Sequence, residues 1–147
     1  LIIENGKLAS SGIYAELYSR LKKSFSTINI IFGNEAFRKE PTGRLNKSLF
    51  ELVVSVFSLL TDEQREIIES PNVSNAIKKE LFKIIANDST EYAKWSSVIF
   101  EDQMRGFDYS ISNSTGKAVT IKYRFDTFIN MLNHVANINF KYRPIKE

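Results

Sequence analysis

The stretch SLFELVVSVFSLL, residues 48–60, decides the fold, because only Glu51, Ser55 and Ser58 interrupt its apolar run. Its three valines (Val53, Val54, Val56) would suit a strand, but thirteen residues favour a helix over a short buried strand. On a helix, Leu49, Phe50, Leu52, Val53, Val54, Val56, Phe57, Leu59 and Leu60 cover most of the circumference. A helix apolar nearly all round belongs in the middle of a core. The stretch therefore predicts an all-α domain, an irregular bundle of about six helices around this central apolar helix.

Working outward, Ile13, Leu17, Leu21, Phe25, Ile28 and Ile31 recur at steps of four and three. Such a stripe marks one apolar helix face, and it predicts a first helix over 11–32 that packs along its length. Gly33 suits the helix end, and Pro41 and Gly43 keep the chain from resuming it. Asn46, or Ser48 with Glu51 as a capping box, can open the central helix. Thr61 and Gln64 form a second capping box for a short acidic helix over 62–69, stopped before Pro71. A further helix is predicted over 74–86, with Ile77, Leu81, Phe82, Ile84 and Ile85 inward, and another over 89–107. Residues 112–116 read as a polar linker. The last helix starts near Lys117 and carries Ile121, Phe125, Phe128, Ile129, Leu132, Val135 and Ala136 on one face.

The 147 residues suit one domain, and the absence of a starting methionine or leader is read as a piece, C-terminal, of a longer protein. No apolar run reaches the roughly 20 residues of a membrane span. With no cysteine, disulfides, thiolate zinc sites and cysteine nucleophiles are excluded, which fits a reducing cytoplasm. The single His134 cannot build a histidine-rich metal site, and it falls about 200° from Leu132 on the helical wheel, off the main stripe. Carboxylate pairs such as Asp62/Glu66 and Glu101/Asp102 read as solvated charges. No catalytic, metal or cofactor residue is predicted for this chain.

Charge is uneven although the net is only +3. Residues 1–48 carry eight basic against four acidic groups, residues 49–108 six against eleven, and residues 109–147 six against two. Basic ends flank an acidic middle, and two basic ends packed side by side would meet phosphate or an acidic partner. Ser114-Thr115-Gly116-Lys117 is not a phosphate loop, because Ile111 and Ala118 stand where that loop needs a glycine and a hydroxyl. What it offers is Thr115 as a cap for the last helix, with Lys117, Lys122 and Arg124 nearby to hold a phosphate oxygen. At the other end, Arg38, Lys39, Arg44 and Lys47 form a basic knuckle able to contact DNA phosphates or a neighbouring domain. The same corner has a structural reading: Phe32 and Phe37 plug the helix junction, Arg38 and Arg44 reach carbonyls or Glu51, and Asn46 fixes the chain's turn into the next helix.

FGNEAFRK (32–39), the arginine and asparagine of GRLNKSLFE (43–51) and SNSTGKAVTIKYRF (112–125) together resemble the C-terminal helical part of the GmrSD-type, ParB-like restriction and anti-phage family. The blocks occur in that family's order over about 95 residues. The resemblance implies a bacterial, cytoplasmic protein whose preceding N-terminal part has a ParB/sulfiredoxin-like fold with an Asp-Gly-Gln-Gln-Arg motif tied to NTP hydrolysis and DNA cleavage. No such motif stands in this chain, so no catalytic residue carries over, and 89–107 is longer than the family pattern leads one to expect. The expected role is a non-catalytic accessory domain that scaffolds the catalytic part and contacts DNA backbone. The competing reading is an interaction or oligomerisation module using an apolar face around Trp95 and Phe100.

Overall fold

The start of the central helix is set by one side chain. Asn46 accepts from the Leu49 N–H at 2.8 Å, which fixes the N-terminus of α2 (Lys47–Ser58). Of the two caps open in the sequence, Asn46 is therefore the one used, and Ser48 lies inside the helix. The computed structural model describes residues 4–40, 42–86 and 106–142, with side chains from Gly12 onward. Among these, the other α-helices are α1 (Glu4–Phe32), α3 (Asp62–Glu69), α4 (Pro71–Ala86), α5 (Phe107–Ser112) and α6 (Ala118–Ala136). The expected helix over 89–107 lies outside the described residues up to 105, as do Trp95 and Phe100.

One buried cluster draws on all six helices, from Ile28, Ile31 and Phe32 of α1 to Phe128, Met131 and Leu132 of α6. α2 is its centre: Leu49, Leu52, Val53, Val56 and Phe57 are essentially without solvent contact, and Phe57 stacks against Phe128 at 6.0 Å between ring centres. Phe50 and Leu59 are the exceptions, both exposed on the outer side of α2. The all-α bundle around a central apolar helix is thus the observed architecture.

α3 opens with the expected reciprocal box, Gln64 N–H donating to Thr61 Oγ1 at 3.1 Å and Thr61 N–H donating to Gln64 Oε1 at 3.0 Å. α4 begins three residues earlier than the sequence implies. Pro71 is its first residue rather than a spacer before it, as suits a ring that fixes φ and has no N–H to lose in a first turn. α5 is an unforeseen short helix, occupying residues assigned to no element beyond Phe107 and ending where the linker was expected.

The largest departure concerns α1. Ile28 and Ile31 are buried as the stripe predicts, yet Ile13 and Leu17 are 62% and 49% exposed and Phe25 is also exposed. All nine residues from Gly12 to Arg20 face solvent. Periodicity fixes which face of a helix is apolar but not how far its neighbours extend. Here Arg20 and Lys23 lie beside Ser58–Asp62, the turn out of α2, so the helix beyond them has left the bundle. A similar correction applies to α6, where Ile121 is exposed while Thr120, Tyr123, Arg124 and Thr127 are buried beside the predicted Phe128, Ile129, Leu132 and Ala136.

Candidate nucleic-acid interface

The corner between α1 and α2 is built from backbone geometry first. Gly33, at φ +55, ends α1 in the left-handed region that a glycine enters without steric cost, and a 3₁₀ turn spans Gly33–Glu35. Phe37 also has positive φ, which is costly for an aromatic residue. It is held there by the Asn46 N–H, which donates to its carbonyl at 2.7 Å, and by its ring, set edge-on to Phe50 at 4.8 Å. Arg38 pairs with Leu45 across the loop in a single antiparallel bridge. Phe50 also meets Phe25 at 6.2 Å, so Phe37 plugs the junction as expected while Phe32 is buried in the core.

The cations of this corner divide by what they touch. Arg38 donates to the Asn34 carbonyl at 3.0 Å and to the Gly43 carbonyl, staying inside its own loop. Lys39 forms an ion pair with Asp108 of α5. Arg44 and Lys47 are exposed, and Arg44 reaches neither a carbonyl nor Glu51 among the described residues. Gly43 sits where a Cβ would press to 2.9 Å from Glu40 Cγ and 3.3 Å from the Glu40 carbonyl, which keeps the loop tight.

Asn46 does a second job that the sequence did not reveal. Its Nδ2 donates to the Ile111 carbonyl of α5 at 2.9 Å, 65 residues away in the chain. One amide side chain thus caps α2 and holds α5. Asn46→Ala is expected to lower stability by about 2 kcal/mol, roughly one for the cap and one for the second bond. Lys47→Ala should leave the urea midpoint within about 0.5 kcal/mol, as an exposed change does. Equal denaturation midpoints for the two variants would contradict this assignment.

From the other side, α5 is held by Arg124. The guanidinium is 4% exposed and its Nη1 donates to the Ser110 carbonyl at 3.2 Å and the Thr115 carbonyl at 2.9 Å. Burial lowers its pKa from the usual arginine value, while the charge of Glu51 acts in the opposite direction. Arg124 is therefore a structural tie and not a surface cation. Thr115 is not the cap of α6 either: Lys117 holds that position with no side-chain hydrogen bond, and Thr115 contributes its carbonyl to Arg124. Lys117 and Lys122 are exposed.

Asn46 and Arg124 grip adjacent carbonyls, those of Ile111 and Ser110, so the basic corner and the start of α6 meet at the C-terminal end of one short helix. Of the eight expected contact residues, Arg44, Lys47, Lys117 and Lys122 remain exposed, Arg38 and Arg124 are consumed in the fold, Lys39 is paired, and Thr115 gives its carbonyl to Arg124; Lys122, two residues from Arg124 on the helix, faces the groove beside residues 139–142 and not α5. Glu40 and Glu51 are exposed acidic groups on the same corner and match the charge of its two exposed cations, Arg44 and Lys47.

Sequence reasoning missed a second buried arginine. Arg65 of α3 donates to the Phe57 and Leu60 carbonyls, both at 3.1 Å, and so closes the C-terminal end of α2. Cations favour helix C-termini, where carbonyls lack partners. A period signal could have located Arg124, since Thr120, Arg124, Thr127 and Met131 recur at helical spacing and all are buried.

No group of three or more His, Asp or Glu side chains able to hold a metal occurs among the described residues. No helix among them is long and apolar enough to cross a membrane. A groove of about 860 Å³ runs between α6 and residues 139–142, floored by Phe125, Ile129 and Phe140 with Lys122 at its edge. The tail is latched there by Asn133, which donates to the Phe140 carbonyl and accepts from the Phe140 N–H, both at 2.8 Å. Compared with known proteins, the chain matches no family model, no curated protein and no solved structure.

Proposed function

We propose that this chain is a non-catalytic helical accessory domain of a bacterial restriction or phage-defence protein, scaffolding a catalytic domain and binding the backbone of duplex DNA. The observation that carries the binding half is the convergence on α5, where Asn46 and Arg124 hold adjacent carbonyls and bring two basic segments of the sequence to one place. Arg44, Lys47 and Lys117 supply the charge, and lysines and arginines on phosphate oxygens confer affinity without reading sequence. The family resemblance of residues 32–51 and 112–125 supports the restriction context, and the N-terminal catalytic part of a parent chain is the proposed partner.

A few phosphate contacts give non-specific affinity of roughly micromolar to 100 micromolar, falling steeply with salt. The test is a duplex-DNA titration of the chain at low and moderate salt, beside NTPase and nicking assays. Salt-sensitive binding without turnover is expected. Turnover that survives rigorous purification would overturn the non-catalytic assignment, and no binding at low salt would leave the interaction-module reading in its place.

A further inference from the structure

Among the described residues, the N-terminal part of α1 is a helical arm without a neighbour over Gly12–Arg20. Ile13 is 62%, Tyr14 63%, Leu17 49% and Tyr18 67% exposed. Such an arm, with Gly6 and Gly12 inside it, gains little from propensity, since isolated helices of about 12–15 residues are marginal in water. From this face we infer that α1 pairs with α1 of a second copy of this chain.

Three observations single out that occupant. First, Ile13, Glu16, Leu17 and Arg20 enclose a shallow depression of about 220 Å³. Their spacing, i, i+3, i+4 and i+7, is that of the four-residue hole into which a side chain of a facing helix inserts. Second, the same arm carries the matching knobs, Tyr14 and Tyr18, so two copies satisfy each other about a two-fold axis with no other protein required. Third, Glu16 and Arg20, 2.7 Å apart within one helix, put both signs of charge on the rim, so two copies bring no like-charge excess to the seam.

The area agrees. With aromatic side chains offering about 150–250 Å² each, the four residues present on the order of 500 Å² per copy, and a pair covers on the order of 1,000 Å², the lower bound for a stable interface. An interface of that size is expected to be weak, with a Kd of roughly micromolar to 100 micromolar.

The experiment combines sedimentation equilibrium of the full chain with amide hydrogen exchange at low and high protein concentration. The expected result is a monomer–dimer equilibrium, with protection over residues 12–20 that grows with concentration. Leu17→Glu and Tyr18→Glu should each weaken association at least tenfold by burying a charge in the seam, while Tyr18→Phe retains it. Both positions lie outside the core, so the charge variants should melt as cooperatively as the parent. A chain that stays monomeric at the highest concentration overturns the inference, and so does protection of 12–20 that is independent of concentration, which would mean cover from within the same chain.

Discussion

Phe57→Ala is expected to lower the stability of the domain by about 4 kcal/mol, a large part of the roughly 5–15 kcal/mol available to a domain of this kind. The ring is fully buried on α2 and packs on Phe128 of α6, so its removal leaves a cavity between the first half of the chain and the last helix. Phe50→Ala, on the same helix but exposed and in ring contact with the corner aromatics Phe25 and Phe37, should cost less than about 1.5 kcal/mol. Urea denaturation followed by circular dichroism separates the two. Similar losses from both would mean that α2 is not the centre of the core.

Arg124→Met should be nearly as damaging, by about 3 kcal/mol. Two charge-assisted bonds to the Ser110 and Thr115 carbonyls disappear, and the relief of no longer burying a guanidinium offsets only part of that loss. The damage should be local in character: amides of residues 107–116 should exchange faster in hydrogen-exchange measurements than those of α2 and α4. Lys122→Ala, two residues earlier and exposed, should leave exchange unchanged. If Arg124→Met instead left stability intact and weakened DNA binding alone, Arg124 would have to be a surface contact, contrary to its burial.

These contrasts follow the line between what local sequence decides and what the assembly decides. The Thr61–Gln64 box was legible because donor and acceptor sit three residues apart and close without tertiary help. The central place of α2 was legible because nothing on most of its circumference tolerates water. The fate of the α1 stripe was not, since Ile13 and Ile28 look equivalent in the sequence and differ only because the turn out of α2 ends the bundle beside Arg20.

In the site, charge type was legible and charge use was not. Arg38, Lys39, Arg44, Lys47, Lys117, Lys122 and Arg124 read alike as cations, but the carbonyls of residues 34, 43, 110 and 115 and the carboxylate of Asp108 decide which are spent on the fold. α5 escaped notice because six residues are too few to show a period. It is nonetheless the element around which the two basic segments gather.

The measurement that tests that gathering most directly is a comparison of two charge reversals of equal size in the DNA titration at low salt. Lys47→Glu with Lys117→Glu removes charge from the two segments that meet at α5, and Lys22→Glu with Lys79→Glu removes the same charge from exposed positions on α1 and α4. The account predicts that the first pair loses at least tenfold in affinity and flattens the salt dependence, with melting unchanged, while the second pair loses about threefold or less through long-range charge alone. Equal losses from both pairs would contradict a localised interface on the α5 face.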